Sequence, residues 1–218
     1  MTARPLPIAV AHLDESCLGN GREGPSPGGA GGLVEIRLSR GIERREFFIS
    51  SPDTSNNKMA LAGAIALLQL LGSKGNRLRV LVVSDSEYLV RGVREWLPGW
   101  VARGWKRKGG AIENLDLWRA LYASLAKHEA QLAWVRGHAG HPKNEFANVL
   151  AIRAAKTQTN SAGVVPATFD QWLADERARG HYADYDPAAA FLQLERRIAA
   201  GERLPLALDE ALAIETPQ

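Results

Sequence analysis

The feature that most constrains the fold is the run RVLVVS at 79–84, which is almost wholly apolar and is followed at once by Asp85. An uninterrupted apolar run of this length is typical of a strand that is buried on both faces of a sheet. Such a sheet needs helices on both sides, so we expect an α/β protein. Hydrophobic residues make up 45% of the 218 residues and charged residues 23%, which is the usage of globular rather than disordered or fibrous chains.

The elements predicted around that strand follow the order β-β-β-α-β-α-α-β-α, which describes a mixed sheet flanked by helices. Strands are expected at 8–13, 32–39 and 45–50, and the last two form a hairpin because only a tight turn at 40–41 separates them. The glycine- and proline-rich stretch 19–32 predicts a long loop between the first strand and this hairpin.

Three longer helices have recognisable starts. Capping residues at 55–57 precede a strongly apolar run, Asn114 precedes a run with leucines at helical spacing, and Pro142 lies at the first turn of a third. The segment 86–110 predicts short helical pieces rich in tryptophan and basic residues, and 130–135 predicts the fifth strand.

The chain divides into a body, 6–156, a polar linker, 157–167, and an acidic helical extension, 168–218. Thr168 and Gln171 have the spacing of a capping box, which predicts a helix start in the extension. The segment 157–218 carries five Arg against ten Asp or Glu, a net charge of −5, and the rest carries 22 basic and 14 acidic residues, a net charge of +8. A basic body with an acidic tail indicates polyanion binding by the body, with uneven surface charge as the plain alternative.

Cysteine usage and hydropathy indicate in which cellular compartment the protein is expected. The single Cys17 excludes a disulfide framework and a cysteine-rich zinc site. No stretch approaches about 18 apolar residues, and the start lacks the apolar core of a signal peptide. We therefore expect a cytoplasmic protein without a membrane segment.

Two aspartates mark a candidate metal site. Asp14 ends the first strand and Asp85 follows the buried strand, at the rim where α/β sheets usually place their sites. Carboxylates from adjacent strands suit Mg²⁺, a hard cation that takes oxygen ligands. A lone aspartate at a strand end is also a common helix cap, so position alone leaves both interpretations open.

Longer motifs narrow the choice. The segments DESCLGN, SNNKMA, SDSEYLVRGVREWLPGWVARGWKRK, NLDLW and WVRGHAGHPKNEFAN resemble, in order and spacing, those of bacterial-type ribonuclease HI, over roughly 8–156. The resemblance implies a ribonuclease H-like five-stranded mixed sheet in which the second and third strands run against the rest. It also implies hydrolysis of the RNA strand of RNA–DNA hybrids with two Mg²⁺ ions about 4 Å apart, with Mn²⁺ as a further candidate.

The family holds its metals with four acids, and this chain matches two of them. Asp14 and Asp85 match the first and third positions, whereas Ala60 stands in place of a helix glutamate and Asn148 in place of an aspartate. The loss of two negative charges is expected to weaken metal occupancy unless another carboxylate takes part. Asn148 still offers a carbonyl oxygen, which is a neutral ligand.

Two unusual acids are placed to compensate. Glu15 follows Asp14 where the family commonly has glycine, and Glu87 lies where a neutral amide often approaches the substrate. Strand alternation argues against Glu15, because successive side chains point to opposite faces, although that rule can lapse at a strand end. Solvated surface acids are the plain alternative for both.

The other candidate residues come from the same resemblance. His138 matches a loop histidine that assists proton transfer or product departure, with a helix-capping histidine as the plain alternative. His12 is expected to be buried and hydrogen-bonded rather than a ligand. Residues expected to contact substrate are the amides near the 2′-hydroxyl-bearing strand and a basic, aromatic segment that grips the DNA strand: Asn20, Asn56, Asn57, Glu87, Trp96, Trp100, Arg103, Trp105, Lys106 and Arg107.

Three functional hypotheses follow from the sequence. The first is an active, monomeric ribonuclease with a rearranged acid set; the second is a hybrid-binding module that does not cut, through natural or engineered loss of two acids. In the third, the extension is an interaction or autoinhibitory element that contacts its own basic face or another protein, with a merely stabilising extension as the favoured plain alternative. The sequence favours the first, because a chain that no longer cuts has no use for a cleavage loop.

Overall fold

A computed structural model describes residues 5–19 and 24–208. It contains a six-stranded sheet in the order β5-β4-β1-β2-β3-β6. The strands are β1 (Ile8–Cys17), β2 (Gly28–Leu38), β3 (Gly41–Ser51), β4 (Arg79–Ser84), β5 (Glu129–Trp134) and β6 (Val165–Pro166). The helices are α1 (Asn56–Gly72), α2 (Glu87–Arg91), a π-helical turn (Gly92–Trp96), α3 (Leu97–Ala102), α4 (Leu115–Leu125), α5 (Pro142–Thr157), α6 (Phe169–Ala178) and α7 (Pro187–Ala199). The α/β class and the mixed sheet are confirmed.

Strand direction corrects one expectation. β1, β4 and β5 are parallel, and β2 is antiparallel to both β1 and β3. Two successive reversals return β3 to the direction of β1, so the expectation that the third strand runs against the rest is wrong. The sixth strand comes from the stretch assigned to the linker, where Val165 and Pro166 pair with Glu46 and Arg45 of β3.

The predicted loop at 19–32 is wrong in its second half, because Gly28 already begins β2. The glycines are needed there by the close approach of α5. A Cβ at Gly29 would lie 2.3 Å from the Ala151 carbonyl oxygen, and one at Gly31 would lie 2.5 Å from Leu150 Cβ. The glycine-rich composition therefore reflects helix-on-sheet packing rather than a turn.

Helices cover both faces of the sheet. One face packs its apolar side chains against α1 and α4, with Leu67 and Trp118 fully buried. On the other face, Val10 and Leu81 pack against Phe191 of α7, while α5 packs against α6. The extension thus supplies part of the hydrophobic core, since each fully buried side chain of this size contributes about 1.5–3 kcal/mol.

The start of α6 differs from the predicted capping box. Thr168 is followed by the helix, but its hydroxyl and backbone N–H both donate to Glu46 Oε2, at 2.9 and 2.8 Å. The partner is a buried carboxylate of β3, so tertiary contact replaces the local cap. Among the described helices, none is long and apolar enough to cross a membrane.

Candidate active site

Three carboxylates meet at one edge of the sheet. Asp14 and Glu15 lie near the end of β1, and Asp85 follows β4 directly. Each offers an oxygen that lies within 4.8 Å of the oxygens of the other two. The meeting follows from the parallel register, in which Leu13 pairs with Ser84 and the next residues of both strands come side by side.

Glu15 joins the cluster although it neighbours Asp14 in a strand. Pairing of β1 with β4 stops at Leu13, and beyond that point β1 pairs only with β2. The edge of β1 on the β4 side is therefore open, and the carboxylates of Asp14 and Glu15 both reach Asp85 at that edge although they neighbour each other along the strand. Asp14 is buried and Glu15 is half-buried.

The cluster is electrostatically strained without a cation. Burial raises the pKa of Asp14 to about 9, and the charges of Asp85 and Glu15 add to the rise. Burial also raises the pKa of Glu15 to about 8, together with the charge of Asp85. The pKa of Asp85 is raised by burial as well, against hydrogen bonds from its own backbone and from Asn144. Desolvated like charges of this kind favour either protons or a bound metal.

Neighbouring groups fix two of these carboxylates. The amide of Asn144 in α5 donates to Asp14 Oδ2 at 3.2 Å, and the backbone N–H of Glu15 donates to Asp14 Oδ1 at 2.6 Å. The indole of Trp134 donates to the Asp85 carbonyl oxygen at 2.9 Å. Gly137 lies against Asp85, and a Cβ there would come within 2.3 Å of Asp85 Oδ2.

The remaining candidate acids and amides lie around this cluster. Asn148 is half-buried one turn beyond Asn144 on α5, a spacing that places both amides on the same face of the helix. Ala60 is buried on α1, a helix that contains no acidic residue. Glu87 lies outside the cluster: its side chain is 63% exposed and its Oε2 is 3.7 Å from Arg91 Nη1.

Histidines occupy two different settings. His138 has a left-handed backbone, φ 53°, and a side chain that is 75% exposed with its Nδ1 3.8 Å from Glu145 Oε2. His12 is buried beside His141, with ring centroids 5.1 Å apart. The expectation that His12 is hydrogen-bonded is not met at its Nδ1, which has no partner among the described residues.

The amides expected near the substrate lie at the start of α1. Asn56 is exposed and Asn57 is half-buried there, behind the capping Ser55. Asn20 lies outside the described residues. The described pair therefore stands at a helix end, where backbone N–H groups and side-chain amides can both approach a polyanion.

The basic aromatic segment divides into buried and exposed parts. Trp100 is only 8% exposed and packs against Trp96 and Trp118, with centroids 5.9 and 5.4 Å away, so it serves the core. Trp105 is half-buried and makes an edge-to-face contact with Tyr122, with ring centroids 5.8 Å apart. The exposed cations of the segment are Arg103, Lys106, Arg107 and Lys108. A groove of about 500 Å³ is lined by part of this segment, including three of these cations.

The sequence reasoning did not single out Asn144, Trp134 or Gly137. Two of them, Gly137 and Asn144, lie within the motif GHAGHPKNE, from which the sequence analysis singled out only His138. Their roles depend on contacts with Asp14 and Asp85, which are distant in the sequence. No pattern of neighbouring residues could therefore have identified them.

Comparisons with known proteins agree with this geometry. A family model described as RNase H matches residues 8–156. The chain is 43% identical over 145 residues to Ribonuclease H of Pseudomonas paraeruginosa, covering 66% of this chain and 90% of that protein. It is 42% identical over 147 residues to Ribonuclease HI of Caulobacter vibrioides, covering 66% and 91%. The crystal structure of LC9-RNase H1, described as a type 1 RNase H with the type 2 active-site motif, is 40% identical with a TM-score of 0.76 and covers 100% of both chains.

Proposed function

This chain belongs to the ribonuclease H family, and from that premise we propose that it hydrolyses the RNA strand of RNA–DNA hybrids endonucleolytically, with Mg²⁺ held by a rearranged acid set. Mn²⁺ is the natural second candidate, since both are hard cations that prefer oxygen ligands. We also propose that it acts as a monomer in the cytoplasm, where its single Cys17 stays reduced.

The observation that carries the proposal is the position of Glu15. Its carboxylate stands with Asp14 and Asp85 within 4.8 Å, which supplies three charged oxygen donors although Ala60 and Asn148 remove two. The donor set fits hard divalent cations, and the raised pKa values of Asp14 and Glu15 support the proposal because they reflect desolvated, mutually repelling carboxylates that a bound cation would stabilise in the ionised form. The relative with a type 2 motif in a type 1 enzyme supports an altered acid set within this architecture.

The chain's own residues have separable roles in the reaction. Asp14, Glu15 and Asp85 would hold the cations, with the Asn148 carbonyl oxygen as a neutral donor. Bound at these residues, divalent cations would lower the pKa of the attacking water and offset the charge on the leaving oxygen. Exposed His138 is free to exchange protons with solvent and to carry one to the departing strand.

Two surfaces of the protein would bind the RNA–DNA hybrid. We assign contacts with the 2′-hydroxyl-bearing strand to Asn20, Asn56 and Asn57, because a hydroxyl that is both donor and acceptor suits an amide. Exposed Arg103, Lys106 and Arg107 would contact DNA phosphates, and the half-buried Trp96 and Trp105 offer stacking faces. Glu87 is assigned to the substrate side, since it lies outside the carboxylate cluster.

The competing function is hybrid binding without cleavage, which Ala60 and Asn148 favour. The test uses a hybrid labelled on either strand, incubated with the unaltered chain or with Asp14→Asn in Mg²⁺ and in Mn²⁺. We expect cleavage of the RNA strand only by the unaltered chain, with hybrid affinity equal in both. Tight binding by the unaltered chain without cleavage in either metal would overturn the proposal in favour of the binding module.

A further inference from the structure

The last described part of the extension forms a strand-like segment beside β5. The backbone N–H of Trp134 donates to the Leu206 carbonyl at 2.7 Å, and the N–H of Leu208 donates to the Trp134 carbonyl at 2.9 Å. Ala207 and Trp134 form a parallel bridge between these two bonds. The segment thus adds backbone pairing to the edge of β5 at the end nearest the carboxylates.

Side chains of the body hold this segment in place. Arg94 of the π-helical turn donates to three carbonyl oxygens, of Leu132 in β5 at 3.0 Å, of Leu204 at 2.9 Å and of Pro205 at 2.8 Å. Gln131 accepts from the Leu204 N–H at 3.0 Å. Since Leu204 and Leu208 are also buried against the sheet, the segment is fixed by both polar and apolar contacts.

Trp134, the residue of β5 that pairs with the segment 204–208, also forms a hydrogen bond to Asp85. Trp134 donates its indole N–H to the Asp85 carbonyl oxygen at 2.9 Å. The next residue, Val135, donates its N–H to Ser84, immediately before Asp85, at 3.1 Å. Two residues further on, Gly137 lies against the Asp85 carboxylate and begins the loop that carries His138.

We propose that the segment 204–208 is a positioning element of the active site, acting through Trp134 on Asp85 and on the His138 loop. The inference rests on the proposed function for its catalytic consequence. The segment lies outside the part of the chain that the family model matches, 8–156. It therefore gives the extension a role that the ribonuclease body alone does not supply.

The test compares two variants of the full chain that lose the same side chain. Leu208→Pro removes the N–H that bonds to Trp134, whereas Leu208→Ala keeps it, and an extended conformation suits the residue before a proline. Hydrogen exchange of the Trp134 indole N–H, assigned with Trp134→Phe, reports the bond to Asp85 without metal or substrate. A Mg²⁺ titration followed by the same resonance reports the affinity of the site.

We expect faster indole exchange and about ten-fold weaker Mg²⁺ binding in Leu208→Pro than in Leu208→Ala, as for other groups that orient metal ligands. With hybrid, kcat should fall about ten-fold while KM stays within about two-fold, because the substrate surfaces lie elsewhere. Equal indole exchange or equal Mg²⁺ affinity in the two variants would overturn the inference, whatever the cleavage result. Absent cleavage by the unaltered chain would instead count against the proposed function.

Should Leu208→Pro fail to fold, Arg94→Met provides the same test from the body side. It removes three hydrogen bonds that join the segment to β5 and leaves the segment's sequence unchanged. The expected result is again faster Trp134 indole exchange with weaker Mg²⁺ binding. An unaltered indole exchange rate or an unaltered Mg²⁺ affinity would contradict a positioning role.

Discussion

Two groups of buried acids in this protein have opposite surroundings. Glu35 and Glu46 lie in the sheet and are fully matched: Glu35 meets Lys143 and Arg44, and Glu46 meets Arg153. The cluster of Asp14, Glu15 and Asp85 meets no basic side chain, because none of the ion pairs among residues 5–19 and 24–208 involves it.

The difference separates a structural use of buried charge from a functional one. A matched buried carboxylate is satisfied inside the fold, whereas an unmatched cluster requires protons or cations from outside. Lys143 also donates to the Pro187 carbonyl at 2.9 Å, so the matched group ties α5 to the start of α7. The matched acids therefore join body and extension, and the unmatched acids are available to a ligand.

The largest effect is expected from breaking the matched group. Lys143→Met leaves Glu35 buried with Arg44 as its remaining cation, and we expect the free energy of unfolding to fall by about 3 kcal/mol. Urea unfolding at pH 7 measures the change. The matched control is Lys143→Met with Glu35→Leu, which should regain more than half of the loss because no buried charge is left unpaired.

A double variant as unstable as Lys143→Met alone would contradict this account of the matched group. Such a result would mean that the instability comes from packing around Lys143 rather than from an uncompensated Glu35. Both variants keep the carboxylate cluster, so their Mg²⁺ affinity serves as an internal check that the fold at the cluster is intact.

A smaller effect of pH is expected from the unmatched cluster. The folded-state pKa values of Asp14 and Glu15, about 9 and about 8, exceed ordinary carboxylate values, so the folded state binds more protons than the unfolded state in this range. The stability that these two groups contribute is therefore complete only below the ordinary carboxylate pKa of about 4, and it is lost as pH rises through the folded-state values. Without metal, independent titration of both groups would lower the free energy of unfolding by about 4 kcal/mol from pH 7 to pH 9, and because solvent screens the half-buried Glu15 we expect a drop of about 2 kcal/mol.

Two controls sharpen the pH experiment. Glu15→Gln removes one titrating group and should flatten the pH profile, whereas Glu87→Gln, at an exposed site outside the cluster, should leave it unchanged. Addition of Mg²⁺ should also abolish the loss at pH 9, because cations replace the protons. A profile that Mg²⁺ and Glu15→Gln both leave unaltered would show that these acids do not form one site.

Local patterns in the sequence were sufficient for much of the fold. The apolar run before Asp85 forms β4, and Ser55 accepts from the Lys58 N–H at the start of α1. A tight turn joins β2 and β3 as predicted, although it lies at 39–40 rather than 40–41. The ribonuclease H resemblance is confirmed by the family model. These features depend on local sequence or on long motifs, so they can be predicted without knowledge of tertiary contacts.

The errors share a tertiary cause. Glycines at 28–32 looked like a loop because the helix α5 that requires them lies more than a hundred residues away. Thr168 looked like a cap because Glu46 was not visible as its partner. Strand alternation argued against a shared site for Glu15 and Asp14. Only the strand register, in which β1 stops pairing with β4 at Leu13, places both carboxylates at an open edge beside Asp85.

The most direct test of the central claim, that Glu15 takes the place of the missing helix acid, is the cleavage rate of an RNA–DNA hybrid in Mg²⁺ for Glu15→Gln beside Glu87→Gln. We predict that Glu15→Gln lowers kcat about 100-fold with hybrid affinity retained, whereas Glu87→Gln changes hybrid affinity and keeps kcat within about two-fold of the unaltered chain. Cleavage by Glu15→Gln at the unaltered rate would contradict the claim and leave Asp14 and Asp85 as the only charged ligands.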